Sequence, residues 1–238
     1  VSARANVLGI DVSRWNGTIN WSQVAASGVS YAFIRVGTTK GGVDIKFHEN
    51  VLNAQANGIR TGVYIYSYAQ SVAEAINEAQ LVLQWIANYN INFPVVYDVE
   101  DSVQKKLDPN TVTAMCNAFC DVIYSAGYYP MIYTGANFYR NYITPELRYD
   151  KWIAHYAKAC AIPDYSIWQA SNTGKIPGVA GNVDIDYMVK DYRNIIMPYG
   201  FTQRPDGVYF YNNYRIQFGW INVGGLRFHM DALGRMQT

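Results

Sequence analysis

The chain has 238 residues, half of them hydrophobic, enough for one large domain or a domain with a small module. Nineteen basic against eighteen acidic side chains leave a net charge of +1, which argues against a nucleic-acid partner, whose footprint would be a basic face. No apolar run approaches the roughly 20 residues a membrane helix needs. Three cysteines, Cys116, Cys120 and Cys160, are not a disulfide framework, and without histidines at ligand spacing they are not a zinc site. The opening VSARAN reads as the start of a mature chain.

In chain order, the first apolar run is VLGIDVS (7–13), followed by a short helical candidate over 21–27. YAFIRVG (31–37) precedes a second candidate over 46–57, and GVYIYSY (62–68) precedes a long helical stripe over 71–89, with Ser71 as N-cap and Glu74 three residues later. PVVYDVE (94–100) precedes a helix over 109–126 that opens with Asp-Pro-Asn. YPMIYTG (129–135), KWIAHY (151–156), YSIWQAS (165–171) and NVDIDYM (182–188) complete eight strands. The runs are nearly continuous in apolar residues, the mark of strands buried on both faces. Alternation with helices implies an α/β fold, and eight strands imply closure into a (β/α)8 TIM-like barrel. The first 196 residues are few for eight full units, which usually total about 250. The barrel is therefore expected to be irregular, with some later helices reduced to loops.

The active site of such a barrel lies at the carboxyl ends of its strands. Those ends supply Asp11, Arg35, Tyr66 and Tyr68, then Asp98 and Glu100, then Tyr133, His155 and Tyr156, Trp168 and Gln169, and finally Asp184 and Asp186. In FPVVYDVEDS, Asp98 and Glu100 share one strand face while Asp101 points the other way. Adjacent acids on one face raise each other's pKa, so such a pair is costly unless a proton is wanted there. Acids walled by aromatics, with no phosphate-cradling glycine loop and no GxSxG elbow, fit glycoside hydrolysis. In that chemistry one carboxyl donates a proton while another stays charged. His48, His155 and His229 are scattered, and neither metal nor cofactor is expected.

The segments GIDVSRWNG, PVVYDVED, GYYPMIYTG, KWIAHY, IWQAS and PGVAGNVDIDYM resemble, in order, the motifs of the glycoside hydrolase family 25 lysozymes. The resemblance covers about residues 7–190. It implies a muramidase that cuts peptidoglycan between N-acetylmuramic acid and N-acetylglucosamine. It also implies Glu100 as general acid, Asp98 as its carboxylate partner, Asp11 from the first strand and Asp184 from the last. The family often has Asn where this chain has Asp186. Arg35, Tyr66, Tyr68, Tyr133, Tyr156, Trp168, Gln169 and Asp186 are expected to bind substrate. Two rivals are a chitinase-like N-acetylglucosaminidase, although residues 93–97 lack the acids such a strand would carry, and a non-catalytic wall-binding barrel.

Composition shifts after residue 197 to a Gly- and aromatic-rich segment that reads as successive β-hairpins, so two domains are expected, 1–197 and 198–238. GWINVGGLRFHMDALGRM resembles cell-wall-binding repeats of the choline-binding type, with Arg227 and His229 where Trp and Tyr are usual. An Arg in an aromatic cage would repel choline. The expected partner is bacterial cell-wall peptidoglycan. The chain is expected to act as a monomer, extracellular or wall-associated, without membrane insertion.

Overall fold

In the computed structural model, residues 7–237 are described, so the VSARAN segment lies outside the description. Eight strands close a barrel: β1 (Val7–Val12), β2 (Tyr31–Thr38), β4 (Arg60–Tyr66), β5 (Val95–Asp98), β6 (Pro130–Gly135), β7 (Asp150–Ala154), β8 (Ile167–Gly174) and β9 (Val183–Met188). Between β2 and β4, the short strand β3 (Gly42–Val43) folds back on β2 as a hairpin. The first seven barrel strands run parallel, and β1 pairs with β2 on one side and β9 on the other. All eight strands read from the sequence are present within a few residues.

The helices are α1 (Trp21–Ala26), α2 (Phe47–Ala56), α3 (Val72–Ile86), α4 (Pro109–Ser125) and α5 (Ala136–Tyr142). The Ser71 hydroxyl accepts from the Glu74 backbone N–H at 3.2 Å, capping α3, and Asp108 caps α4 with Pro109 in its first turn. Cys116 and Cys120 are buried on α4 among the apolar residues between sheet and helices. The short α5 was not read from the sequence. Its NFYRNY run carries no apolar stripe of useful length.

One strand departs from the expected arrangement. β9 is antiparallel to both neighbours, with Asp11 opposite Asp184 and Gly9 opposite Asp186. The link from β8 to β9 contains no helix, so the chain turns back directly instead of crossing over. Asp184 therefore lies at the start of its strand, with Asp186 two residues further in, and reversal brings that start to the rim where the other strands end.

The barrel interior is filled rather than hollow. Tyr31, Phe33, Phe93, Val96, Met131, Trp152 and Ile167 form one buried cluster, with the Phe33 and Trp152 rings stacked 4.4 Å apart. Gly9 is required here: a Cβ at this position would sit 2.2 Å from the Tyr31 ring.

The carboxyl-terminal segment forms a three-stranded sheet, β10 (Tyr199–Arg204), β11 (Gly207–Asn212) and β12 (Arg215–Ile216), then a hairpin, β13 (Gly219–Val223) and β14 (Leu226–Met230). That hairpin turns on Gly224 and Gly225, both at positive φ, a conformation two glycines adopt freely. The first sheet closes the floor of the barrel. Tyr209, Tyr211 and Ile216 belong to the same buried cluster as the barrel interior. The Ile216 N–H donates to Gly127 O at 2.8 Å, and the Tyr124 hydroxyl donates to Leu233 O at 2.8 Å.

Candidate active site

Along β5 the side chains alternate. Val95, Tyr97 and Val99 pack outward with the helices, whereas Val96 joins the interior cluster and Asp98 and Glu100 line a cleft at the rim. The cleft has a volume of about 360 Å³, and Asp11, Asp98, Glu100 and Asp184 all open onto it, with Tyr64, Tyr66, Tyr133, Tyr156 and Trp152 among its walls.

Burial governs the charge of these acids. Glu100 lies above the ordinary carboxylate range, first because it is desolvated and then because Asp101 and Asp184 repel its charge, while Lys105 opposes the rise. Asp98 is pushed well up by burial and then by Glu100, with Arg35 opposing. Desolvation, not the mutual repulsion expected from the sequence, is the larger cause for both, and the repulsion acts one way: Glu100 raises Asp98, while the acids that raise Glu100 are Asp101 and Asp184. Asp11 is likewise raised by burial and then by Asp186 and Asp184, and burial lifts Asp184 to about 6. Asp11 is within hydrogen-bonding reach of both Asp184 and Asp186. Carboxyls so placed resist ionising together.

Gln169 fixes this cluster. Its Nε2 donates to Asp11 Oδ2 at 2.6 Å, while its Oε1 accepts from the Tyr133 hydroxyl at 2.9 Å and the Tyr156 hydroxyl at 2.8 Å. Trp152 Nε1 donates to Asp186 Oδ1 at 2.8 Å. Asp98 Oδ1 is buried and accepts no hydrogen bond.

Of the expected substrate-binding residues, Tyr66, Tyr133, Tyr156 and Gln169 line the cleft. Arg35 also lines it, but its guanidinium is engaged by Asp44, with Nε at 2.8 Å and Nη2 at 2.6 Å from Oδ2. Asp186 is fully buried beneath the cleft rather than open to it. Tyr68 borders an adjoining pocket. Trp168 does not reach the cleft: strand alternation turns Gln169 inward and Trp168 outward, where its Nε1 donates to His155 O at 2.8 Å and its ring meets Tyr187.

Several residues of the site were not read from the sequence. Tyr64 is the inward residue one step below Tyr66, and period-two counting from Tyr66 would have found it. Ser13, Trp15 and Asn16 line the cleft from the segment after β1 and Asn172 from the irregular later half of β8, and Trp15 is 76% exposed. A buried polar network lies behind the Asp98–Asp101 segment. Glu78 on α3 is 1% exposed and accepts from the Ser67 hydroxyl at 2.6 Å and the Tyr68 N–H at 3.1 Å. Gln104 Nε2 donates to Ser67 Oγ at 3.0 Å, and Gln104 Oε1 accepts from the Asp101 N–H at 3.0 Å. The backbone just after Glu100 is thereby tied, through Gln104 and Ser67, to Glu78 on α3. Glu78 occupies a polar position within an otherwise apolar stripe, and that was its one sequence signal. Among the described residues, no group of three or more His, Cys, Asp or Glu side chains has the arrangement to hold a metal ion.

In the tail hairpin, Trp220 stands opposite His229, with ring centroids 4.8 Å apart, and the Arg227 guanidinium lies 4.3 Å from the Trp220 ring centroid. Arg227 thus lies over one face of the Trp220 ring, the kind of face to which a quaternary ammonium binds.

A family model described as glycosyl hydrolases family 25 matches residues 10–179. Lysozyme M1 of Streptomyces globisporus is 28% identical over 197 residues, covering 76% of this chain and 67% of that protein. The uncharacterized protein YegX of Escherichia coli K12 is 32% identical over 196 residues, covering 78% of this chain and 71% of that protein. Among solved structures, a bacterial lysozyme from Streptomyces coelicolor matches with a TM-score of 0.67 at 27% identity, covering 78% of this chain and 93% of that one. The modular autolysin LytC from Streptococcus pneumoniae matches with a TM-score of 0.70 at 29% identity, over 79% of this chain and 47% of that one. The family match runs from the second half of β1 through β8, taking in Asp11, Asp98, Glu100 and Gln169. This chain belongs to glycosyl hydrolases family 25 and is a glycoside hydrolase of the lysozyme type.

Proposed function

We propose that the protein is a muramidase that hydrolyses the β-1,4 bond between N-acetylmuramic acid and N-acetylglucosamine in bacterial peptidoglycan. The observation that carries this reading is the pairing of Glu100, raised by burial at the cleft mouth, with Asp98, buried beside it with one carboxyl oxygen free of any donor. Glu100 protonates the leaving glycosidic oxygen. The unpartnered Asp98 oxygen accepts the N–H of the substrate's acetamido group, whose carbonyl oxygen attacks the anomeric carbon from within the substrate. The two side chains start about 6–7 Å apart along the strand, a spacing between those of retaining and inverting enzymes. Water, giving its proton to the now ionised Glu100, then opens the cyclic oxazolinium at the same carbon, so the outcome is net retention with no sugar–Asp98 bond. Asp11, held by Gln169, and Asp184 supply negative potential as positive charge develops on the sugar.

A solved structure of the related LytC contains a synthetic peptidoglycan ligand, which supports the same substrate class here. We place the catalytic unit in residues 1–197, and assign residues 198–238 to wall affinity through exposed Tyr199, Phe201 and Trp220. The occupied Trp220 face favours a wall component other than choline.

The test is digestion of purified peptidoglycan and of chitin, with reducing ends identified by mass spectrometry and the first-formed anomer read by NMR. Muramic acid reducing ends with retained configuration are expected. Glucosamine ends or chitin cleavage would favour the chitinase-like alternative, and an inverted anomer would refute internal attack.

A further inference from the structure

Beside the catalytic cleft, and sharing Trp15, Arg35 and Tyr66 with it, lies a second pocket of about 390 Å³. Its walls come from the β2–β3 hairpin, the segment after β1 and the segment after β4. The two pockets have opposite electrostatic character. The cleft gathers acids, whereas the second pocket carries the exposed cations Arg14 and Lys40. Among the described residues neither cation forms an ion pair. The acid lining this pocket, Asp44, has a fully buried side chain and is bonded to Arg35, the Arg14 N–H and the Lys46 N–H. Asp101 faces Lys40 from the β5 side, but its carboxylate already accepts from the Tyr66 hydroxyl at 2.9 Å and the Val103 N–H at 3.0 Å.

The aromatic plates of this pocket are also capped. The Arg14 guanidinium lies 4.7 Å from the Trp15 ring centroid, and the Lys40 ammonium lies 3.7 Å from that of Tyr68. A sugar ring packs on a bare aromatic face. Here an incoming group meets positive charge held in place by the rings.

We propose that this pocket is a subsite for a carboxylate carried by the glycan chain beside the scissile bond, with Arg14 and Lys40 as its ligands. The inference rests on the muramidase reading, because peptidoglycan supplies such carboxylates next to the cleaved bond and chitin does not. In intact wall the charge lies on the stem peptide, since the lactyl carboxyl is consumed in an amide. In glycan stripped of stems the lactyl group itself is the carboxylate.

The experiment compares the wild type with Lys40→Gln and with Arg14→Gln/Lys40→Gln on three soluble glycans: one with intact stems, one with its stem carboxyls amidated, and one stripped of stems by an amidase. Two exposed charge contacts correspond to about 3- to 20-fold in affinity. The double variant should raise KM by that factor on the intact glycan with kcat within about two-fold, the single variant should fall between, and raised salt should narrow the gap. On the amidated glycan, wild type and variants should coincide. A KM increase confined to intact stems assigns the peptide carboxylate, and one shared with the stripped glycan assigns the lactyl carboxylate. Equal KM for wild type and double variant on all three would overturn the proposal. If the wild type cleaves none of them, the muramidase reading fails. The subsite is then judged by equilibrium binding of a free stem pentapeptide, where equal affinity of wild type and double variant overturns it.

Discussion

The rim and the floor of the barrel each hold an aspartate at a strand end, Asp98 buried at the rim and Asp150 partly exposed at the floor, and the two are treated oppositely. At the floor, burial pushes Asp150 up, yet Lys190 at 2.6 Å, Tyr192 at 2.7 Å and Tyr129 at 2.8 Å all donate to its Oδ2, and the net result lies below the ordinary range. At the rim, Asp98 is buried with one oxygen lacking a donor and other acids close by, and it lies well above that range. A fold that satisfies its carboxylates gains stability. One that leaves them unsatisfied gives up stability and keeps a proton and an acceptor ready for something outside the chain. The floor is sealed by the tail, while the rim is open.

The largest effect that would break this comparison is at Glu100. Removing a general acid costs about 10²–10⁴ in rate. Glu100→Gln should nearly abolish lysis while its melting temperature stays level or rises, because an unsatisfied acid has been neutralised. Lysis above half the wild-type level would remove Glu100 from its role.

Ending the chain at residue 197 tests the floor. Loss of Tyr209, Tyr211 and Ile216 uncovers apolar surface worth at least about 3 kcal/mol, so the barrel should melt earlier in a denaturant titration. The shortened chain should still cleave small soluble muropeptides and should bind whole walls less well. A shortened chain that is folded yet inert on soluble substrate would mean that the tail completes the active site.

Asp150→Ala leaves Lys190 and two tyrosine hydroxyls without their acceptor. Allowing for partial exposure of the ion pair, it should cost about 1–3 kcal/mol of stability with kcat unchanged. A large loss of kcat in folded enzyme would show that rim and floor are not separable. A smaller effect is expected at Gln104, which anchors the Asp101 N–H. Gln104→Ala should lower kcat about 3- to 10-fold with little change in KM, since a slight displacement of the acid costs rate rather than binding. An unchanged kcat would limit the buried network to stability.

The smallest effect is in pH dependence, and its sign differs between the two regions. Asp184 titrates at about 6 in the fold, against about 3.9 when unfolded. Below the unfolded value both states hold the proton. As pH rises towards 6 the unfolded chain ionises first, so this group lowers stability over that window. Asp150 behaves in reverse: its contribution is present at neutral pH and is lost as pH falls through its folded value. Asp184→Asn should flatten the decline in melting temperature between about pH 4 and 7, and Asp150→Asn should flatten the decline in acid. Identical slopes for both variants would contradict the contrast.

Much of this was legible in the sequence because it rests on local pattern. β-branched runs fixed the eight strands, and Ser71 and Asp108 marked the starts of the long helices. The acid rim followed from period-two alternation along strands such as β5. The direction of β9 was not legible, because an antiparallel return and a parallel crossover leave the same apolar strand, and only the missing helix before it distinguishes them. Trp168 was misplaced because counting outward from a strand end does not say which of two neighbours faces inward; its indole N–H goes to the His155 carbonyl instead. The basic pocket could not be read at all, since Arg14 and Lys40 become neighbours only when β1 and β2 pair.

The central claim is that burial holds a proton on Glu100 above the range of an ordinary glutamate. The direct measurement is a ¹³C NMR titration of the side-chain carboxyls in glutamate-labelled enzyme, with the Glu100 signal assigned by its loss in Glu100→Gln. The account predicts a Glu100 midpoint above the ordinary value of about 4.3, still protonated where an exposed glutamate has ionised. A midpoint at or below that value would contradict it.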